Sequence, residues 1–281
     1  MTVAIVTDSG SDLTPIQRRE NGILQVPLSV SIGDRSYLSP DELTAEEFWR
    51  LMRAPDASFA HTAAPSAGRF KLAFEQAFNA GADSIVCVCL SETLSSTIGS
   101  ARMAREMLPD REIHVVDSRS ACLATGALAL RGAKMAAGGA SAEQIAAEMT
   151  RLRQEITLFV ALDTLEYLRK GGRISAAKAA VGGLLSVKPI ITVEEGIVVT
   201  ADQPRTRTKA RARVIELLTD HPATEIYVLY SPPIDVESFR EAVLARMPAP
   251  APKVATTQII GPVIGAHVGP GAYGAVVVRE T

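Results

Sequence analysis

Short apolar, β-branched runs alternate with amphipathic stretches through the first half of the chain, which predicts strands alternating with helices. Residues 3–7 are such a run and end at Asp8-Ser9-Gly10, a buried strand leading into a loop. Thr14, Pro15 and Gln17 fit the N-cap, N1 and N3 positions of a capping box for a short helix. Residues 24–37 read as a hairpin turning at Gly33-Asp34. Thr44 and Glu47 form a second expected capping box, opening a helix through Met52. Pro65 is expected in the first turn of a helix whose Phe70, Phe74 and Phe78, four apart, share an apolar face. Strands at 84–90 and 112–116 and helices at 97–107 and about 121–137 continue the rhythm. Ser141 with Gln144 then opens a third capped helix running to Arg153.

After residue 156 the rhythm changes. Strand candidates crowd together at 157–162, 190–193, 197–201, 226–230, 255–260 and 275–278, with helices near 209–218 and 236–247. Glu194-Glu195-Gly196 predicts a tight hairpin, and the proline-rich stretch 248–252 a loop. The expected fold is α/β. A parallel-sheet N-terminal domain with flanking helices spans 1–155, and a C-terminal α+β domain spans 156–281.

Composition narrows the function classes. The 281 residues include 29 basic and 31 acidic ones, a formal net charge of −2, which argues against bulk attraction to nucleic acid or anionic membrane. No run approaches the roughly 18 apolar residues of a spanning helix, and residues 1–8 lack the basic flank of a signal peptide. Cys87 and Cys89 are expected on one face of a buried strand, reduced, without the further ligands of a zinc site. These features predict a cytoplasmic protein.

The candidate chemistry is concentrated in four places. Residues 91–97, Ser-Glu-Thr-Leu-Ser-Ser-Thr, put five hydroxyls in seven positions between a strand and a helix. At the carboxyl end of a parallel sheet, a helix N-terminus with added hydroxyls suits a carboxylate or phosphate. Ser95 or Ser96 acting as a plain N-cap would account for only one of the five. Thr62, four residues before Ser66, is a second hydroxyl near a helix entrance. Residues 269–274 match G-x-G-x-x-G, but the chain ends at Thr281, without the helix and acid that a dinucleotide site needs. These glycines read instead as close approaches of backbone to a ligand or a strand. His267 lies in the same expected loop, either structural or, beside a carboxylate, a hydrogen-bond donor whose pKa would rise.

The fourth place is basic: Arg169, Lys170 and Arg173, and the strict alternation Arg205, Arg207, Lys209, Arg211, Arg213. The alternating run reads as a solvated face, an anion-recognising edge or a docking patch for an acidic partner. Asp8 and Asp12 could hold a cation, although loop hydrogen bonding is commoner for aspartate. G-x-S-x-G, P-loop, H-E-x-x-H and C-x-x-C motifs are all absent from the sequence. The residues alone therefore reach a two-domain α/β protein with a hydroxyl-lined anion site, and leave the reaction open.

Six segments together resemble the DegV family over essentially the whole chain. They are Val6-Thr-Asp-Ser-Gly-Ser-Asp-Leu13, Thr62 through Pro65-Ser66, and Leu94-Ser-Ser-Thr97 with Ser100-Ala101. The others are Tyr167-Leu-Arg-Lys-Gly-Gly-Arg-Ile174, Leu185-Ser-Val-Lys-Pro-Ile190 and Gly265-Ala-His-Val-Gly-Pro-Gly271. The resemblance implies a lipid-binding protein that buries one long-chain fatty acid in a tunnel between its two domains. It also implies a separate ATP-binding kinase subunit that phosphorylates the presented carboxylate, the acyl phosphate feeding phospholipid synthesis.

On that resemblance Thr62, Ser95, Ser96 and His267 correspond to carboxylate ligands, and Arg173 and Arg205 face the phosphate or the kinase. It implies no catalytic residue, cofactor or metal of its own, no nucleic acid partner and at most transient membrane contact. The chain departs from the family's usual pattern at Ser96, where glycine is common, and at Ala63-Ala64, where Ser-Gln is common. Two other functions fit the residues: a stand-alone Ser/His acyl hydrolase using Ser95 and His267, and a nucleic-acid binder using residues 205–213.

Overall fold

A computed structural model describes residues 2–174 and 187–279. Leu185 and Ser186, the first two residues of the family-like stretch 185–190, lie outside the described residues. The first half runs β1 (Val3–Asp8), a 3-10 turn (Ser9–Ser11), α1 (Pro15–Glu20), β2 (Leu24–Val26), β3 (Leu28–Ile32), β4 (Arg35–Ser39) and α2 (Ala45–Met52). It continues with β5 (Ala60–Ala63), α3 (Ala67–Asn79), β6 (Ser84–Cys89), α4 (Thr97–Glu106), β7 (Glu112–Asp117), α5 (Leu123–Ala137) and α6 (Ala142–Leu152). The second half contains β8 (Ile156–Ala161), α7 (Glu166–Lys170), β9 (Ile190–Glu194), β10 (Ile197–Asp202), α8 (Arg207–Leu218) and β11 (Glu225–Tyr230). It closes with α9 (Val236–Arg246), β12 (Val254–Ile259), α10 (Pro262–Val268) and β13 (Tyr273–Val278).

Three sheets organise these elements. A parallel sheet has the order β2-β1-β6-β7, and its β6 is buried on both faces, as its continuous apolar run requires. Cys87 and Cys89 lie on β6 with their sulfurs 3.8 Å apart, so they share a face as their spacing of two dictates. A six-stranded sheet, β10-β9-β8-β13-β11-β12, is antiparallel except for β11 and β12. The third sheet is small and antiparallel, in the order β4-β3-β5. The largest core cluster draws on both halves, from Val30 and Leu128 to Leu158 and Leu229. No helix of the described residues is long and apolar enough to cross a membrane.

Several local expectations are corrected. The hairpin begins at Leu28, because Pro27 interrupts the run and residues 24–26 pair with β1 in the parallel sheet. Thr44 caps α2, but Glu47 does not return the bond; its carboxylate takes both Nε (2.8 Å) and Nη2 (2.6 Å) of Arg50. Pro65 stands outside α3, whose N-cap is Ser66. The alternating basic run lies largely on α8, where a period of two does not gather side chains on one face. Its members disperse: Arg207 pairs with Asp163, and Arg213 with Asp202 and Glu216.

The expected loop around His267 is also corrected. Residues 262–268 form α10, with Pro262 in its first turn and Gly261 as N-cap. Pro262 lacks the N–H that a first-turn residue does not need, so the helix can start there. The tight turn at Glu195-Gly196 forms as expected, both residues having positive φ (48° and 85°).

Gly274, the last glycine of the G-x-G-x-x-G match, explains itself by packing. It sits in β13 between β8 and β11, and a Cβ there would run into the Phe159 carbonyl and the Val160 backbone. Backbone cannot swing aside as a side chain can. Gly274→Ala is therefore expected to lower stability by about 1–3 kcal/mol, read as an earlier urea midpoint.

Candidate functional site

An apolar cavity of about 810 Å³, its open mouth included, lies against one face of the six-stranded sheet. Leu158 and Val160 of β8, Ile191 and Val193 of β9, Val198 of β10 and Leu229 of β11 form its floor. Alternation along each strand brings these residues to one face. Leu28, Leu90, Leu94, Leu168, Ile260, Val263, Ile264 and Val268 close the sides. The polar side chains reaching it are Thr62, Ser95, Arg173 and His267, with the thiol of Cys122.

Thr62 and His267 meet although 205 residues separate them. Thr62 projects from β5 and His267 from α10, and Thr62 Oγ1 lies 2.9 Å from His267 Nε2. α10 is held in place from several sides. The rings of Phe48 and Trp49 press so closely on Gly265 that a Cβ there would come within 2.6 and 2.7 Å of them. The Trp49 indole N–H donates to the Ile260 carbonyl at 2.7 Å. Gly171, at the end of α7, abuts the imidazole itself, and Gly269, at φ 73°, abuts the Tyr167 ring. Tyr167 and Gly171 therefore make the seat for the His267 helix.

His267 Nδ1 is buried without a partner, while burial, the Arg173 charge and His61 depress the imidazole pKa to about 4. The ring is neutral at pH 7. Placing its proton on Nε2 leaves only a lone pair unsatisfied at Nδ1, and Nε2–H then donates to Thr62 Oγ1. That leaves the Thr62 hydroxyl proton for an acceptor in the cavity. Arg173 is held by its own turn: Nε donates to the Leu94 carbonyl (3.0 Å) and Nη1 to the Gly171 carbonyl (2.6 Å). Ser95 accepts from the Thr97 N–H (3.3 Å), and its hydroxyl lies 2.8 Å from Thr97 Oγ1.

The five hydroxyls of residues 91–97 do not converge. Ser91 and Thr93 both donate to the Gly196 carbonyl, docking the loop on the β9–β10 turn. Ser96 is the N-cap residue of α4 but makes no side-chain cap bond. It is exposed and lies outside the cavity lining, as does Arg205. The structure thus brings together Thr62, Ser95, Arg173 and His267, and leaves Ser96 and Arg205 apart. Thr62 stands on a strand rather than at the helix entrance expected of it.

Reading the sequence did not single out the cavity floor, the Trp49 clamp or the Phe59–Tyr167 stack (5.6 Å between ring centroids) beside the seat. A lone tryptophan beside Phe48 was the signal for the clamp. The strand alternation was the signal for the floor. Neither says what lies opposite.

Comparison with known proteins places this geometry. The profile of a family described as "Uncharacterised protein, DegV family" matches residues 2–280. A DegV domain-containing protein of Deinococcus radiodurans is 34% identical over 278 residues, covering 98% of this chain and 97% of the relative. A Thermus thermophilus structure described as fatty acid binding of a DegV family protein is 34% identical, with a TM-score of 0.90 and 100% of each chain covered. The Bacillus subtilis structure described as DegV, a fatty acid binding protein, is 29% identical, with a TM-score of 0.87, covering 99% of this chain and 100% of its own.

The titration of His267 is open to test. Between pH 6.5 and about 4 the unfolded chain binds a proton that the folded imidazole refuses, so stability falls with acidification across that window. The loss is at most about 3 kcal/mol. Asp8 and Asp12, raised by burial to about 7, act in the opposite sense, since their contribution declines as pH rises from about 4 to 7. Comparison with His267→Gln cancels them. The wild-type stability relative to His267→Gln is expected to fall between pH 6.5 and 4 in urea titrations of ligand-free protein. A constant difference would mean that the imidazole is not desolvated.

Proposed function

The chain belongs to the DegV family, and on that premise we propose that it buries one long-chain fatty acid in the apolar cavity and presents the carboxylate to a separate kinase subunit. The observation that carries the reading is an aliphatic cavity whose polar lining gathers at Thr62, Ser95, Arg173 and His267. A carboxylate leaving water needs several charge-assisted hydrogen bonds, and the hydroxyls and the guanidinium can supply them, with the imidazole holding Thr62 in place. The tail contributes about 0.8 kcal/mol for each methylene it buries, so the gross driving force is ample. Fatty acid binding by the Thermus and Bacillus relatives supports the ligand class.

In this reading the protein is not an enzyme by itself. The kinase transfers a phosphoryl group from ATP to the presented carboxylate, and the acyl phosphate feeds phospholipid synthesis. Thr62 and Ser95 receive the carboxylate, and His267, donating Nε2–H to Thr62, turns the Thr62 hydroxyl proton towards it. The neutral imidazole is suited to this task, because an incoming carboxylate raises its pKa and strengthens the pair. Arg173, anchored by two carbonyls, keeps further N–H donors for the new phosphate. Ser96 and Arg205, exposed outside the cavity, are assigned to the surface that meets the kinase. The Ser/His hydrolase reading has no supporting contact: His267 Nε2 is engaged by Thr62, and Ser95 by Thr97.

Native and then denaturing mass spectrometry of purified protein is expected to release one stoichiometric fatty acid. Ser95→Ala and His267→Ala should each weaken retention roughly tenfold or more, the loss of one hydrogen bond to a charged group. With a kinase subunit and ATP, both should lower acyl-phosphate formation. A protein that is empty after gentle purification and takes up neither oleate nor palmitate would overturn the reading.

A further inference from the structure

The imidazole of His267 rests on the turn that ends α7, and the two adjacent glycines of that turn are required for different reasons. Gly172 has a φ of 73°, and no heavy atom lies within 4 Å of where its Cβ would stand. Its backbone conformation calls for glycine. Gly171 has ordinary helical backbone, φ −76° and ψ −3°, which any residue adopts. What it lacks is space. A Cβ on Gly171 would collide with Nδ1 and Cε1 of His267 and crowd the Tyr167 carbonyl oxygen at 3.1 Å. A backbone this close leaves no room for a water molecule between turn and ring.

The turn offers Nδ1 no hydrogen bond in place of that water. Its N–H groups are spent internally: Gly171 donates to the Tyr167 carbonyl (2.8 Å), Gly172 to Arg169 (3.1 Å) and Arg173 to Leu168 (2.9 Å). The Gly171 carbonyl accepts from Arg173 Nη1 (2.6 Å). Nδ1 is left buried without a partner, whereas Nε2 has Thr62 Oγ1 at 2.9 Å. A proton on Nδ1 would be a buried N–H lacking an acceptor, and such groups are rarer in proteins than acceptors with a spare lone pair. α10 cannot draw the ring away, because Phe48 and Trp49 clamp it at Gly265.

We propose that Gly171 is a positioning residue: its bare backbone keeps water and hydrogen-bond partners from His267 Nδ1, holds the ring proton on Nε2 and so aims the Thr62 hydroxyl proton into the cavity. The use of that hydroxyl proton in receiving a carboxylate rests on the fatty-acid reading. The placement of the ring proton does not.

Nitrogen NMR of the ligand-free full chain at pH 7, with isotope-labelled histidine, reads the tautomer. His267 is one of four histidines, and its signals are those missing from His267→Gln. Wild type is expected to show the Nε2–H tautomer alone. In Gly171→Ala the ring is displaced from Thr62, and its two nitrogen shifts should move towards the averaged values of an exchanging proton. Gly172→Ala strains the backbone without touching the ring, so it should lower the urea midpoint and keep the wild-type His267 spectrum. The stability lost in Gly171→Ala should be largely recovered in the His267→Ala background, where the ring is gone; should Gly171→Ala fail to fold, the double variant should fold. An Nδ1–H tautomer in wild type overturns the proposal. So does an unchanged His267 spectrum in folded Gly171→Ala, the same spectral change in Gly172→Ala, or a Gly171→Ala defect that persists in full without the ring. Oleate affinity, measured separately, should fall roughly tenfold in Gly171→Ala. A wild type that takes up no oleate would count against the fatty-acid reading, and the ligand-free spectra would still decide where the proton lies.

Discussion

The hydrogen bond between Thr62 and His267 depends on one short helix being held very close to its neighbours, and the polar end of the cavity depends on that bond. α10 is pressed by Phe48 and Trp49 at Gly265 and by the end of α7 at His267, and it is followed by Gly269 under the Tyr167 ring. Each contact is tight enough to exclude a side chain from the glycine concerned. The outcome is an imidazole with water removed from one nitrogen and a hydroxyl on the other. Such a ring stays neutral, and a neutral ring in an apolar wall is poised to respond to an anion.

The start of the same helix meets a different electrostatic setting. Asp8 and Asp12 are buried carboxyls at the carboxyl edge of the parallel sheet. Asp8 accepts the N–H groups of Gly10 (2.7 Å) and Leu90 (2.8 Å), and Asp12 accepts from Cys122 and Gly261. These bonds tie the ends of β1 and β6, the start of α5 and the start of α10 to one another. Burial outweighs the bonds and lifts both acids to about 7. The aliphatic cavity therefore has the Arg173 charge and a neutral His267 in its lining, and Asp12 stands behind Cys122.

The cavity also joins the two halves of the chain. Its floor belongs to the six-stranded sheet, whereas Thr62, Leu90 and Ser95 come from the first half. Ser91 and Thr93, bonded to the Gly196 carbonyl, fasten the halves at the rim. Hydroxyls that looked like one anion cluster in the sequence thus divide their work between docking and the cavity. One extended loop cannot aim consecutive side chains at a single point.

The sequence by itself determined the parallel sheet, the capped helices at Thr14 and Ser141, and the strand-rich second half, because periodicity and caps are local properties. It also singled out Thr62, Ser95, Arg173 and His267, through motifs that resemble a family. It placed Thr62 at a helix entrance and His267 in a loop, because nothing local reveals that α10 packs on Trp49 and Gly171. Ser96 and Arg205 were indistinguishable from their neighbours along the chain. Only the tertiary structure decided that a one-residue step turns Ser96 outwards while Ser95 reaches the cavity. The reason is physical: direction and burial arise from contacts across 205 residues of separation, as between Thr62 and His267, and such contacts leave no period in the chain.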